Sequence, residues 1–310
     1  MIFLNKFRFL NEDDADQYLP LCGIFNSCTP DEYYPLRFFN PYFTGQRIEQ
    51  LDFEDITILY GGNGSGKTTL LNIMAEKLEV VRRRKYIPTV GFTYYIDHCS
   101  YKFDEKPLSK KFLASDDIFD HILSVREENK SIKTNKIDEI DYFNSVNKTK
   151  PGKPQRGYKQ LFSDGVKLNF ESDDKSEYEK LSRFVSATNK TKKQFVRSRA
   201  GEMQRQYSNG ENALMFFDKE IENDALYFLD EPENSMSPRF QIELKALIED
   251  SVRYKNCQFV IATHSPFILS LHDAKIYNLD ANPVTVERWY ELENVQYYYD
   301  FFKVNRDCFE

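Results

Sequence analysis

The chain has 310 residues, 41% hydrophobic and 29% charged, an ordinary globular composition with length for one large domain or two small ones. A net charge of -7 excludes a molecule that binds polyanions over its whole surface, and no apolar run approaches the ~20 residues that span a bilayer. Five scattered cysteines (Cys22, Cys28, Cys99, Cys257, Cys308) lack metal-ligand spacing, and the N-terminus lacks a signal-peptide core, so a cytoplasmic protein with reduced thiols is expected.

Taken in order, residues 1 to 60 are rich in strand formers. Tyr33–Phe39 and Ile48–Phe53 cluster strand formers set apart by turn signals such as Thr29-Pro30 and Asn40-Pro41, which predicts a mixed or antiparallel sheet. Asp55–Tyr60 reads as a short buried strand and Thr68–Leu78 as a helix. Between them runs Gly61-Gly62-Asn63-Gly64-Ser65-Gly66-Lys67-Thr68-Thr69, which fits G-x-x-x-x-G-K-[ST]. Backbone N–H groups that curl around a phosphate need glycine, because side chains would block the approach. The positive end of the helix faces the same anion. Lys67 would reach the β- and γ-phosphates, and the Thr68 hydroxyl would ligate Mg²⁺. Tyr33, Tyr34 or Phe38 could stack on the base, although the core is the readier place for each.

Beyond the helix, Arg82-Arg83-Arg84-Lys85 reads as a solvated helix end. Gly91–Ile96 reads as a strand. Ala114–Arg126 has an N-cap signal and apolar residues at helical spacing. Lys148–Pro154 is a linker-like break. Residues 148–199 hold 14 Lys and Arg against 6 Asp and Glu, a local charge of +8. This segment is either a solvated helical lid or a surface for nucleic acid or an acidic partner.

From about 206 the pattern sharpens. Ala225–Leu229 and Gln258–Ala262 are the short, nearly all apolar runs of strands buried on both faces, and Pro238–Asp250 between them is an amphipathic helix. Together they predict a right-handed βαβ unit. Ala274–Leu279 and Val284–Trp289 predict a hairpin, and Asn294–Lys303 a terminal helix that packs its aromatic residues.

Three further stretches carry chemistry. The strand Leu226–Leu229 ends in Asp230-Glu231-Pro232-Glu233, which places carboxylates at the sheet edge where ligands bind. Asp230 would hold Mg²⁺ and Glu231 would polarise the attacking water. Ser208-Asn209-Gly210-Glu211 precedes an oncoming helix, a second N-terminal anion site with a permissive glycine. His264, in Ala262-Thr263-His264-Ser265-Pro266, ends the next strand, where it could bond a γ-phosphate.

In this order the four motifs resemble the ATP-binding cassette superfamily, and more closely its soluble RecF/SMC-like branch of stand-alone bacterial AAA-family ATPases. The resemblance covers residues 50–75 and 205–280. It makes Gly61–Thr69 the Walker A loop, Ser208–Glu211 the signature, Leu226–Glu231 Walker B, Ser235–Pro238 the D-loop and His264 the switch histidine. It implies an α/β P-loop NTPase: an ABC-type head with an N-terminal antiparallel β region, a central parallel-rich sheet and an inserted helical lid. The divisions expected are 1–96 for the β region and Walker A part, 97–204 for the basic lid, and 205–310 for the remaining core.

The resemblance also implies ATP and Mg²⁺ as substrate and cofactor. ATP would be bound by Gly61, Gly62, Asn63, Gly64, Ser65, Gly66, Lys67, Thr68 and Thr69, and by Ser208, Asn209, Gly210 and Glu211 of a second copy. Thr68 and Asp230 would hold the metal, and Glu231, His264 and Lys67 would be catalytic. A head-to-tail homodimer would close around ATP. No glutamine follows the first helix where the family has its Q-loop, since Gln155 and Gln160 come late; Ser115–Asp117 is the possible substitute. The leading functional expectation is an ATPase switch on nucleic acid, in genome maintenance or antiviral defence. The alternatives are an ATP-gated regulator of an effector protein and a transporter's nucleotide-binding subunit.

Overall fold

Ile56–Tyr60 is apolar at every position but Thr57, and all five residues are buried. Such a strand needs neighbours on both edges and cover on both faces, and the computed structural model supplies them. The structure describes residues 2–9, 48–86, 90–147, 175–200 and 208–309. Tyr33–Phe39, Cys22, Cys28, Lys148–Pro154, Gln155 and Gln160 lie outside the described residues.

In chain order the elements are β1 (Leu4–Arg8), β2 (Gln50–Asp52), β3 (Ile56–Tyr60), α1 (Lys67–Lys77), β4 (Val81–Arg82), α2 (Val90–His98), β5 (Ser100–Phe103) and β6 (Ser109–Ala114). They continue with α3 (Ser115–Asn147), α4 (Lys175–Asn189), α5 (Lys192–Ala200), α6 (Asn209–Glu220), β7 (Ala225–Asp230), α7 (Pro238–Lys255), β8 (Gln258–Thr263), α8 (Pro266–Leu269), β9 (Lys275–Asn278), β10 (Thr285–Glu287) and α9 (Glu293–Val304). The main sheet has the order β10-β9-β3-β8-β7-β6-β4, parallel except for the β9–β10 hairpin. A smaller antiparallel sheet has the order β2-β1-β5.

Side-chain alternation along the strands divides the interior into two cores, one on each face of the main sheet. Leu226 and Phe228 of β7, with Val260 and Ala262 of β8, pack with Leu70, Leu71 and Met74 of α1 and with Leu4, Phe7 and Leu51 of the small sheet. Tyr227, Leu229, Phe259 and Ile261 pack instead with Phe216 and Phe217 of α6 and Leu244 and Ile248 of α7. Each fully buried large side chain contributes about 1.5–3 kcal/mol, so both faces are strongly held.

The chain divides into two compact units, residues 1–122 with 207–310, and residues 123–206. The first contains both sheets. Residues 100–103 and 109–114, assigned from sequence to the inserted lid, are strands of these sheets. In the second unit Phe195 of α5 is fully buried, against Tyr142 and Phe143 of α3. Arg183 of α4 lies 4.0 Å over the Tyr142 ring and bridges to Glu139 at 3.1 Å.

Three sequence expectations need correction. Gly91–Ile96 is helical, not a strand. The neighbours Tyr95 and Ile96 are both buried in one core, which a strand's alternation would forbid, and α2 packs against α1. Packing here overrides the β propensity of the aromatic run. Val81–Arg82 is not a solvated helix end but the short edge strand β4, with the Arg82 guanidinium 4.1 Å over the Phe112 ring. Finally, α9 forms but does not bury its aromatics: Val295 is covered, whereas Tyr297, Tyr298, Tyr299, Phe301 and Phe302 are exposed.

The two sheets are stitched together by two buried side chains: the Tyr277 hydroxyl of β9 accepts from the Asp52 amide at 3.0 Å and donates to the Asp52 carbonyl at 2.9 Å, and Gln258 makes four more bonds. Gln258, at the start of β8, accepts from the Phe3 and Leu4 amides at 3.1 and 2.8 Å and donates to the Leu4 and Glu54 carbonyls at 2.9 and 3.0 Å. Gln258→Ala removes the partner of these four backbone groups, three of them in buried bonds. The expected loss is about 2–4 kcal/mol of unfolding free energy, read from urea denaturation; a loss under ~0.5 kcal/mol would contradict this role.

Candidate functional site

The parallel register brings the C-terminal ends of β3, β8 and β7 level. Tyr60 pairs with Thr263, and Ala262 with Asp230. Everything the sequence singles out on these strands therefore emerges at one sheet edge.

The Gly61–Thr69 stretch is a tight loop that runs into α1. Gly64 and Gly66 have φ of 80° and 94°, where an ordinary side chain is strained. Gly61 is required for space instead, because a Cβ there would lie 2.5 Å from Ser65 Oγ. Lys67 is buried and curls back, donating through Nζ to the Gly61 and Gly62 carbonyls at 2.7 and 2.9 Å. Its ammonium is thus held beside the loop that an anion would occupy. The first residues of α1 lack a side-chain cap, so their N–H groups remain suited to an anion.

Thr68 Oγ1 donates to Asp230 Oδ1 at 3.0 Å and ties the loop to the end of β7. Burial pushes the Asp230 carboxyl up to about 6 from its ordinary 3.8; the Thr68 hydroxyl and the Lys67 charge pull it down, and Glu231 pushes it up. A hydroxyl and a partly buried carboxylate form the oxygen donor set of a hard divalent cation, so these two residues fit Mg²⁺. Glu231, the next residue, has a φ of 46°, a strained value for a non-glycine residue. Its amide donates to the Ala262 carbonyl at 2.9 Å, and its Oε2 accepts from Asn234 Nδ2 at 3.0 Å. The chain reverses at Glu231, and the carboxylate is aimed rather than left free.

His264 follows β8 with its Nδ1 3.8 Å from Glu231 Oε1 and 3.8 Å from Glu233 Oε1. Glu233 was not among the residues assigned a role from sequence, yet it organises this end. Its Oε1 accepts from Thr263 Oγ1 at 2.5 Å and from the His264 and Ser265 amides at 3.2 and 3.3 Å. Burial raises its pKa, while the Thr263 hydroxyl and the amides oppose the rise. The signal was present in the acidic run, where Glu233 is the next carboxylate after Glu231. Asn294 of α9 also reaches the site and donates to the His264 carbonyl at 3.3 Å.

Ser208–Glu211 opens α6 as a capping box. Ser208 Oγ accepts from the Glu211 amide at 3.3 Å, and Glu211 Oε2 accepts from the Ser208 amide at 2.9 Å. Gly210 is not there for a positive φ. A Cβ on it would lie 2.3 Å from the Phe240 ring of α7, so glycine allows that packing. The contacts of Thr68 with Asp230 and of His264 with Glu231 join the loop, the acids and the histidine; Ser208–Glu211 is built as a separate helix start. Of the possible Q-loop substitute, Asp117 caps α3 by accepting from the Ala114 amide at 3.0 Å, and Asp116 pairs with Arg84 at 3.2 Å. Ala114 pairs with Asp230 across β6 and β7, so this turn lies beside the acidic strand end.

Residues 100–270 match a family model described as "AAA domain, putative AbiEii toxin, Type IV TA system". This is more than half the chain, and it includes Asp230, Glu231 and His264 but not Gly61–Thr69. No curated protein matches the chain. Among solved structures it is similar to a nucleotide-free ATP-binding cassette from an ABC transporter, at 13% identity over 93% of this chain and 92% of that one, TM-score 0.38. It is also similar to an Smc head domain from Pyrococcus furiosus with an extended coiled coil bound to the C-terminal domain of ScpA, at 13% identity over 100% of both chains, TM-score 0.37. A third is the SMC head domain from Thermotoga maritima, at 12% identity over 93% of this chain and 99% of that one, TM-score 0.35. Among the described residues no helix is long and apolar enough to cross a membrane.

The raised Asp230 value gives a stability prediction. Because the folded value of about 6 lies above the ordinary 3.8, this group's stabilising protonation is complete below the lower value and lost as pH rises through the higher one. Asp230→Asn is therefore expected to be more stable than the wild type at about pH 8 without nucleotide, by roughly 2 kcal/mol, with a smaller gain at about pH 5. Urea denaturation at both pH values checks this; an equal gain at both would contradict it.

Proposed function

This chain belongs to the AAA-domain family described as putative AbiEii toxin, Type IV TA system, and from its site we propose an ATPase that hydrolyses ATP to ADP and phosphate. The observation that carries the reading is the Thr68–Asp230 contact at 3.0 Å, which joins a phosphate-type loop to a partly buried acid with Glu231 next in chain.

The residues divide the work as follows. On binding, the Lys67 ammonium would leave the Gly61 and Gly62 carbonyls for the β- and γ-phosphate oxygens, a short swing for a flexible stem. The loop amides and the start of α1 would surround the β-phosphate. Thr68 and Asp230 would hold Mg²⁺, which when bound supplies positive charge to the phosphates. Glu231 would orient water and take its proton as the water oxygen attacks the γ-phosphorus and the bond to the leaving ADP oxygen breaks. Asn234 on Glu231 and the Glu233 bonds beneath His264 would keep both side chains aimed. Catalysis of this kind rests on positioning and charge rather than on a covalent intermediate.

The capping box at Ser208–Glu211 would serve the ATP of a second copy, so ATP would close a head-to-tail dimer and hydrolysis would open it. The leading output is a switch on nucleic acid. Its support is the +8 segment, in which Lys190, Lys192, Lys193, Arg197 and Arg199 are exposed on or beside α5. A second reading, an ATP-gated regulator of an effector protein, is favoured by one observation. A cavity of about 560 Å³ lies beside His264, walled by Trp289, Tyr298 and Phe302.

Glu231→Gln tests the core of this account. Phosphate release is expected to fall at least about 100-fold with ATP binding retained, and light scattering is expected to show an ATP-bound dimer. A monomer at saturating ATP would contradict the dimer; unchanged turnover would contradict the assignment of Glu231. In the wild type, DNA-stimulated turnover that weakens with salt supports the nucleic-acid output, and indifference to DNA favours the effector.

A further inference from the structure

The phosphate loop is held at its entry by a residue that no motif predicts. Asp280 lies in the turn between β9 and β10. Its Oδ2 accepts from the Gly62 amide at 2.7 Å. The placement follows from the topology. Strand β9 is parallel to β3 with Asn278 opposite Tyr60, and the Leu279 amide donates to the Tyr60 carbonyl at 2.8 Å. The chain thus leaves β9 level with Gly61, on the opposite side of β3 from Asp230. Asn278 Oδ1 then accepts from the Asp280 amide at 3.0 Å and turns the backbone. Asn278 is itself clamped, donating through Nδ2 to Glu287 Oε1 of β10 at 3.0 Å, an oxygen that also accepts from Thr285 Oγ1 at 2.6 Å. The turn is a rigid mount for one carboxylate.

Glycine at the start of the loop admits that carboxylate. A Cβ on Gly61 would crowd Asp280 Oδ1 at 3.1 Å, whereas one on Gly62 would meet Oδ2 at an ordinary contact distance of 3.7 Å. The same two residues present their carbonyls to Lys67. The Gly61–Gly62 segment is therefore gripped twice, by Lys67 through its oxygens and by Asp280 through an amide. Only the first grip is lost if Lys67 turns to phosphate.

We propose that Asp280 is a positioning residue that holds the Gly61–Gly62 entry of the phosphate loop in its binding shape while Lys67 is transferred to the nucleotide. The inference rests on the ATPase reading for its nucleotide arm, but the anchor itself exists without ligand. Asp280 touches no reacting atom, so it acts on binding rather than on the chemical step. Its charge is incidental: what the Gly62 amide needs is an acceptor, which the Asn side chain also offers.

Two variants of the full chain separate these points. Asp280→Ala removes the acceptor and is expected to weaken binding of a fluorescent ATP analogue with Mg²⁺ at least tenfold. It is expected to raise KM for ATP to match and to leave kcat within about twofold. Asp280→Asn keeps the acceptor and is expected to stay within about threefold of the wild type in all three. Hydrogen exchange of the peptide covering residues 56–66, without nucleotide, is expected to quicken in Asp280→Ala and not in Asp280→Asn. Wild-type affinity in Asp280→Ala, an equal loss in both variants, or a fall in kcat alone would overturn the proposal. Unchanged exchange in Asp280→Ala would overturn the anchor itself. Wild-type protein that binds no ATP, with exchange changed as expected, would instead remove the ATPase reading and leave the anchor.

Discussion

The structure depends on the level ends of three parallel strands. β3 and β7 are separated by β8, which puts their ends about 10 Å apart at ordinary strand spacing. The loop after β3 must therefore lean across β8 for Thr68 to meet Asp230 at 3.0 Å. The level register leaves no strand projecting in its way. The Glu231 φ of 46° is a strain accepted at the same edge, while Gly64 and Gly66 take positive φ that glycine adopts freely. The two cores on the faces of the sheet stabilise the strands that carry them.

Around this contact the polar groups form a graded set. Lys67 and Glu233 are nearly closed off from solvent, whereas His264 is close to half exposed. The charged groups that set geometry are inside, and the group that would meet a departing phosphate faces outward. Glu233 shows how such burial is tolerated. Three donors converge on one of its oxygens, and they include the amide of His264, so the acid fixes the backbone that presents the histidine.

Much of this was legible in the sequence. Asp55–Tyr60, Ala225–Leu229 and Gln258–Ala262 read as buried strands because nearly every position is apolar, a pattern with few other solutions. The loop residues and Asp230 could be read because their chemistry demands fixed spacing along one segment. What was not legible depends on contacts between distant segments. Asp280 lies 218 positions from Gly62, and nothing in its neighbours marks it as a carboxylate on a backbone amide. Gly210 looked like a conformational glycine, but its reason is the ring of Phe240. The aromatic run in α2 carried strand propensity, and its burial against α1 decided otherwise. In α9, aromatic content suggested burial, yet most of the rings face outward.

The central claim is that Thr68 and Asp230 work as one oxygen pair for the metal of a bound nucleotide. A double-mutant cycle on Mg²⁺-dependent ATP hydrolysis tests it most directly, with Thr68→Ala, Asp230→Ala and the two combined. If the pair is one unit, each single variant loses about 100-fold or more in kcat/KM, and the double variant is no more than about threefold worse than the weaker single. Losses that multiply independently would contradict the account.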